Sequence, residues 1–254
     1  MMKKLMRLVV TAFMFCCALT TMAQELTVSA AASLSNAFKD IGTEFERENP
    51  GVTVTFNFAA SGVLLRQIEQ GAPVDVFASA DQATMDRAVG QSLIADGTRF
   101  DFVANTLVLI VPNGIAAPAQ LSDLQGDAYR TIAVGTPSSV PAGNYAQQVL
   151  QRDQLWEALE PKFVFGESVR QVLQYVTTKE ADAGFVYGTD AALNANDVQV
   201  ALVVPTLSAI TYPMAQVKAS EHADLAQAFM QFVQSEKGQE ILGRYGFVSP
   251  TAAD

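Results

Sequence analysis

From residue 26 onward the apolar positions switch between two periods, one of about two residues and one of about three to four, as strands and helices require. Leu26-Thr27-Val28 reads as a short buried strand. It leads through Ala30-Ala31-Ala32-Ser33 into a helix whose apolar face is Leu34, Ala37, Phe38, Ile41 and Phe45, stopped by Asn49-Pro50-Gly51. Val52, Val54, Phe56 and Phe58 alternate as a second strand. Ser61 then opens a helix bearing Leu64, Leu65 and Ile68, which Gly71 and Pro73 end. Val74 to Ala78 is a third strand and Gln82 to Val89 a third helix. The β-α-β-α order predicts a mostly parallel sheet covered by helices.

After an apolar strand at Leu107 to Val111 the order repeats. Ile132-Ala133-Val134 is a strand, followed by a helix from about Ala142 to Leu150. Phe163 to Phe165 precedes a helix with Val169, Val172, Leu173 and Val176 on one face, and Ala183 to Tyr187 is a further strand. Met214 to Val217 forms a late strand, with helices at Leu225–Gln234 and Gln239–Arg244. Two α/β lobes are therefore expected, the first recovering the C-terminal helices: residues 24–104 with 213–254, and residues 105–212. Strand crossings near Val103–Val111 and Pro213–Lys218 would join them as hinges.

Residues 1–23 read as a cleaved signal peptide. Lys3, Lys4 and Arg7 precede the apolar run Leu8–Ala18, and Thr21-Met22-Ala23 offers small residues for cleavage. The run is shorter than the about 20 residues of a membrane span. Phe13-Met14-Phe15 lacks the small residue that lipid attachment at Cys16 or Cys17 would want. Cleavage removes both cysteines and takes the formal charge from −10 to −13. Without a basic run, nucleic acid and anionic membranes are not expected partners.

Enzyme signatures are missing. His222 is the one histidine and sits in the polar stretch Glu221-His222-Ala223-Asp224, as a surface residue would. No G-x-S-x-G elbow, phosphate loop or dinucleotide fingerprint occurs. One histidine and a mature chain without cysteine leave little for a zinc or copper site. Helix starts say more. Ala32-Ser33-Leu34, Ala60-Ser61-Gly62, Pro141-Ala142-Gly143 and Ser168-Val169-Arg170 are written almost entirely in small or uncharged residues. A helix start offers free N–H groups and the positive end of the macrodipole, so it attracts anions. Each alone is ordinary capping. All four follow strands, where the crevice of an α/β protein lies.

Ala30-Ala31-Ala32-Ser33-Leu34, Phe58-Ala59-Ala60-Ser61, Gly71-Ala72-Pro73-Val74-Asp75-Val76-Phe77-Ala78-Ser79-Ala80-Asp81, Val140-Pro141-Ala142-Gly143 and Val186-Tyr187-Gly188-Thr189-Asp190 resemble the periplasmic molybdate-binding proteins of ABC importers. The resemblance runs in order down to Arg244-Tyr245-Gly246-Phe247. It implies an α/β, two-lobed fold of the type II periplasmic-binding-protein kind, each lobe a mostly parallel sheet flanked by helices, with ligand in the interlobe cleft. It further implies capture of molybdate or tungstate and delivery to a membrane ABC permease by a periplasmic monomer that carries no cofactor. Ser33 and Ser61 would give hydroxyl and backbone N–H groups, Ala142 and Val169 backbone N–H groups, and Tyr187 its phenol. The molybdenum would be held only through its oxygens. Gly62 stands where relatives often carry another hydroxyl residue, a departure expected to loosen that loop. Arg170 is expected to form a salt bridge behind its helix.

About seven donors at about 1.5–3 kcal/mol each come to roughly 10–20 kcal/mol before ordering costs, ample for sub-micromolar binding. Such a site rejects phosphate, whose remaining proton finds no acceptor, and leaves size to separate molybdate from sulfate. A sulfate or ferric-ion binder stays open as an alternative, as does, in a different class, a secreted hydrolase.

Overall fold

The computed structural model describes residues 24–250, so the expected signal segment lies outside the described residues. Among the described residues ten strands and nine α-helices follow one another, mostly in alternation. The strands are β1 Gln24–Ala31, β2 Val52–Ala59, β3 Val76–Ala78, β4 Phe100–Asn105, β5 Leu107–Pro112, β6 Ile132–Gly135, β7 Phe163–Gly166, β8 Ala183–Tyr187, β9 Val198–Val204 and β10 Ile210–Gln216. The helices are α1 Ser35–Glu48, α2 Ser61–Glu69, α3 Gln82–Gly90, α4 Pro141–Arg152, α5 Trp156–Leu159, α6 Val169–Thr177, α7 Gly188–Leu193, α8 Ala223–Gln234 and α9 Glu236–Arg244.

They build two five-stranded sheets of matching plan, ordered β2-β1-β3-β10-β4 and β7-β6-β8-β5-β9. Within each sheet three strands pair in parallel through helical crossovers. The fourth place in each goes to a reversed strand, β10 or β5, antiparallel to both neighbours. Both reversed strands adjoin a chain crossing between the sheets. The chain leaves the first sheet after Asn105 and enters the second at Leu107; it leaves the second after Val204 and returns at Ile210. The return thus lies ahead of the Pro213–Lys218 stretch where the late apolar strand is legible, since β10 begins at Ile210.

Core composition follows from the layers. A strand covered on both faces reads as a continuous apolar run, and β5 is buried at all six positions. In the first lobe one face of the sheet meets α1 and α8, with α9 packed on both helices, and Phe45 packs edge-on against Phe229 at 5.3 Å and against Phe232 at 5.6 Å. A separate cluster of Leu64, Leu65, Ile68, Phe77 and Met85 seals α2 and α3. In the second lobe α4 and α6 cover β6 and β8 through Ala146, Val149, Val172 and Val176.

The parallel strands all deliver the chain to a helix start at their C-terminal ends. β2 leads to α2, β6 to α4, β7 to α6 and β8 to α7, while β1 runs into a 3-10 turn at Ala32–Leu34 before α1. These ends face one another between the lobes.

Candidate functional site

A small, tight cavity lies between the two sheets. Ala31, Ala32, Ser33, Ala60, Ser61 and Ala80 line it from the first lobe, and Val140, Pro141, Ala142, Val169 and Tyr187 from the second. All five sequence-predicted residues, Ser33, Ser61, Ala142, Val169 and Tyr187, are therefore brought to one place. Each is buried. None of the lining residues is charged at neutral pH.

Local sequence explains the positions. Ser61 and Pro141 are the first residues of α2 and α4, and neither Ala60 nor Val140 before them makes a side-chain cap. Proline at a helix start lacks only an N–H that the helix could not use. Ser168 caps α6, but its Oγ accepts from Gln171 N, two residues beyond Val169. No capping side chain claims the very first N–H groups of these turns, as an anion site needs. Gly143 allows α4 to start so close to β6, since a Cβ there would lie within 3 Å of the Gly135 backbone.

The hydroxyls have defined partners. Ser61 Oγ accepts from Ala80 N at 3.0 Å. Ser33 Oγ lies 3.1 Å from the Tyr212 hydroxyl, which also accepts from Asn105 Nδ2 at 3.2 Å. The Tyr187 phenol reaches across the lobes to Ala80 O over a long 3.4 Å. Burial raises the Tyr187 phenol well above its ordinary range, helped by the nearby Tyr212, Tyr145, Asp81 and Asp190, so it stays protonated and available as a donor.

Arg170 does more than the expected salt bridge. Its Nε sits 2.7 Å from Asp190 Oδ1, close as charges but poorly aligned as a hydrogen bond. Its other nitrogens cross to the first lobe, Nη1 donating to Asn36 Oδ1 at 3.0 Å and Nη2 to Ser33 O at 3.2 Å. Burial pushes the Asp190 carboxyl up to about 6 against the opposing pull of Arg170. Gly62 does not leave a looser loop. Its N–H donates to Ser139 O across the cleft at 3.0 Å, and a Cβ there would stand 2.8 Å from Ser139 Cα, so glycine permits the lobes to touch.

Tyr212, Asn105, Asp190 and the carbonyl of Ala80 were not singled out by sequence reasoning. Thr189-Asp190 was visible as part of a motif; Tyr212 and Asn105 carried no local signal. A wider groove of about 480 Å³ lies at the opposite end of the first sheet, around Asp75. It has no such convergence, because Asp75 already accepts from Thr27 N and Ser220 Oγ and lies beside His222 Nδ1. Among the described residues no group of three or more His, Cys, Asp and Glu side chains is placed to hold a bare metal ion.

The pattern of the bacterial extracellular solute-binding proteins matches residues 26–248. The chain is 40% identical over 232 residues to the molybdate-binding protein ModA of Escherichia coli (strain K12), covering 88% of either protein. To ModA of Haemophilus influenzae it is 34% identical over 231 residues, 88% of this chain and 89% of that protein. The solved periplasmic molybdate-binding protein of Azotobacter vinelandii has the same fold, with a TM-score of 0.76 at 26% identity over 89% of this chain and 99% of that one.

Proposed function

The chain belongs to the bacterial extracellular solute-binding protein family, and on that premise we propose that it traps molybdate or tungstate between its lobes for delivery to an ABC permease. It is a binding protein and not an enzyme. The observation that carries the ligand class is the convergence of Ser33, Ser61, Ala142, Val169 and Tyr187 on one buried, uncharged cavity. That cavity is far too tight for a drug-sized organic ligand, whose sites run to about 300–1,000 Å³. It suits a small ion.

A dianion leaving water loses a large solvation energy and must be met by many donors. Two serine hydroxyls, a phenol and the N–H groups of the helix starts supply them without a formal positive charge, which suits a ligand that must later be released. The net negative surface does not oppose this, because oriented local dipoles hold the ion. Ligand contacts from both lobes favour the closed arrangement, and closure is what a permease can read. Residues 1–23 would direct export to the periplasm, where the protein acts as a monomer binding one ion.

Titration calorimetry of residues 24–254 tests this. The expected result is one-to-one, sub-micromolar binding of molybdate and tungstate, weak heat from sulfate and none from phosphate. Preferential binding of sulfate would replace the ligand while keeping the cleft. Silence with all four would remove the oxyanion reading.

A further inference from the structure

We propose that Tyr212 and Asn105 are positioning residues that fix the hydroxyl of Ser33 as a hydrogen-bond donor to the bound oxyanion. This rests on the oxyanion reading and goes on to say how the cavity acquires its donor-only character.

The direction of each hydrogen bond can be traced from a group whose proton is certain. The backbone N–H of Thr106 donates to Asn105 Oδ1 at 2.9 Å. That fixes the amide orientation, so Nδ2 is the atom that faces Thr189 Oγ1 at 2.9 Å and the Tyr212 hydroxyl at 3.2 Å. An amide NH₂ only donates, so the Tyr212 oxygen accepts. Tyr212 is fully buried, and its own proton needs an acceptor. Of the two groups bonded to it, Ser33 Oγ at 3.1 Å alone can accept. Ser33 Oγ receives that proton and turns its own toward the cavity it lines.

Ser61 arrives at the same state by a shorter route, because its Oγ accepts from the backbone N–H of Ala80. Both serines are therefore committed by a chain of bonds that begins at a backbone N–H. A free hydroxyl can turn either its proton or a lone pair to the ligand; with one lone pair already taken, each serine is biased toward offering its proton. The Ser33 chain also spans the crossings between the sheets, since Asn105 ends β4, Tyr212 lies in β10 and Thr189 belongs to α7 of the second lobe.

The test is a double-mutant cycle on molybdate affinity, measured by calorimetry, with folding checked by circular dichroism. Tyr212→Phe keeps the ring that packs against Phe102 and Phe247 and removes only the hydroxyl. It should weaken binding about 5–20-fold with Ser33 present, and less than about twofold in the Ser33→Ala background, where no hydroxyl is left to orient. In the Ser61→Ala background the 5–20-fold loss should persist. Equal losses with and without Ser33, or no loss at all, would overturn the proposal. If Tyr212→Phe does not fold, Asn105→Ala enters the same cycle with the same expectation. Failure of the unmutated protein to bind molybdate would instead end the oxyanion reading, and this proposal with it.

Discussion

Ser61 and Tyr187 line the same cavity yet are held by different bonds, and their variants should behave differently for that reason. Ser61 Oγ is the acceptor for the buried N–H of Ala80. Ser61→Ala therefore removes a ligand donor and also strands a backbone group, at about 1–3 kcal/mol. Molybdate affinity should fall about 10–100-fold, and the melting temperature of the free protein should drop by about 3–8 °C. The Tyr187 phenol has only its long contact to Ala80 O to lose. Tyr187→Phe should cost a similar factor in affinity with the melting temperature nearly unchanged. Calorimetry and a thermal melt on the two variants separate these cases, and a matched stability loss would show that Tyr187 is a structural tyrosine. Tyr187 was reached only through the family resemblance, whereas the other four of the five cavity residues were legible in sequence because helix starts leave a local mark: small or uncharged residues soon after a strand. Tyr212 and Asn105 left none, since their partners Ser33 and Thr189 are 179 and 84 residues away.

At the scale of elements, two glycines set close approaches of different kinds. A Cβ at Gly143 would meet the Gly135 backbone of the same lobe, so Gly143→Ala must push α4 off β6. It should lower stability by about 1–3 kcal/mol and carry the Ala142 N–H out of place, weakening ligand binding as well. A Cβ at Gly62 would meet Ser139 of the other lobe. Gly62→Ala should leave each lobe intact and act as a wedge against closure. Its expected signature is a raised molybdate dissociation rate with a small change in the ligand-free melting temperature. A large loss of ligand-free stability in Gly62→Ala would mean that the contact supports the fold and not the closed state. The elements themselves were readable wherever the period was clean, as in α1 with its buried Ala37, Phe38, Ile41 and Phe45. β9 was not, because it is an edge strand whose Val200 and Val203 face solvent, so its apolar pattern has no buried alternation to detect. The return crossing was misplaced for a related cause: Tyr212-Pro213 interrupts β10 with a register shift, so only its second half reads as a strand.

For the whole molecule, closure depends on contacts that bridge the lobes, and the Arg170 guanidinium donates two of them. It leans on Asp190 in its own lobe while bonding to Asn36 and Ser33 O of the other. Asp190 is fully buried at the start of α7, and its carboxyl is pushed up to about 6. The sign of the pH effect follows. Between the unfolded value of 3.8 and about 6, the folded protein holds a proton that the unfolded chain has released. Stability of the free protein should therefore rise as pH falls through that window, while above it Asp190 adds no pH dependence because both states are deprotonated. The exposed carboxylates Glu44 and Asp153 are held low by Lys237 with Arg47, and by Arg152. They act in the opposite sense below their unfolded values of 4.5 and 3.8, so Glu44 opposes Asp190 only in the lowest part of this window. Melting curves from pH 7.5 to 5 should climb by a few degrees, and Asp190→Asn should flatten that climb. Arg170→Ala removes the charge that opposes protonation, so it should move the window upward in pH. It should also weaken molybdate binding by loosening the closed state. If Arg170→Ala shifted the pH profile but left affinity and release rate untouched, Arg170 would serve only to balance Asp190, and closure would rest on the ligand and the Gly62–Ser139 seam.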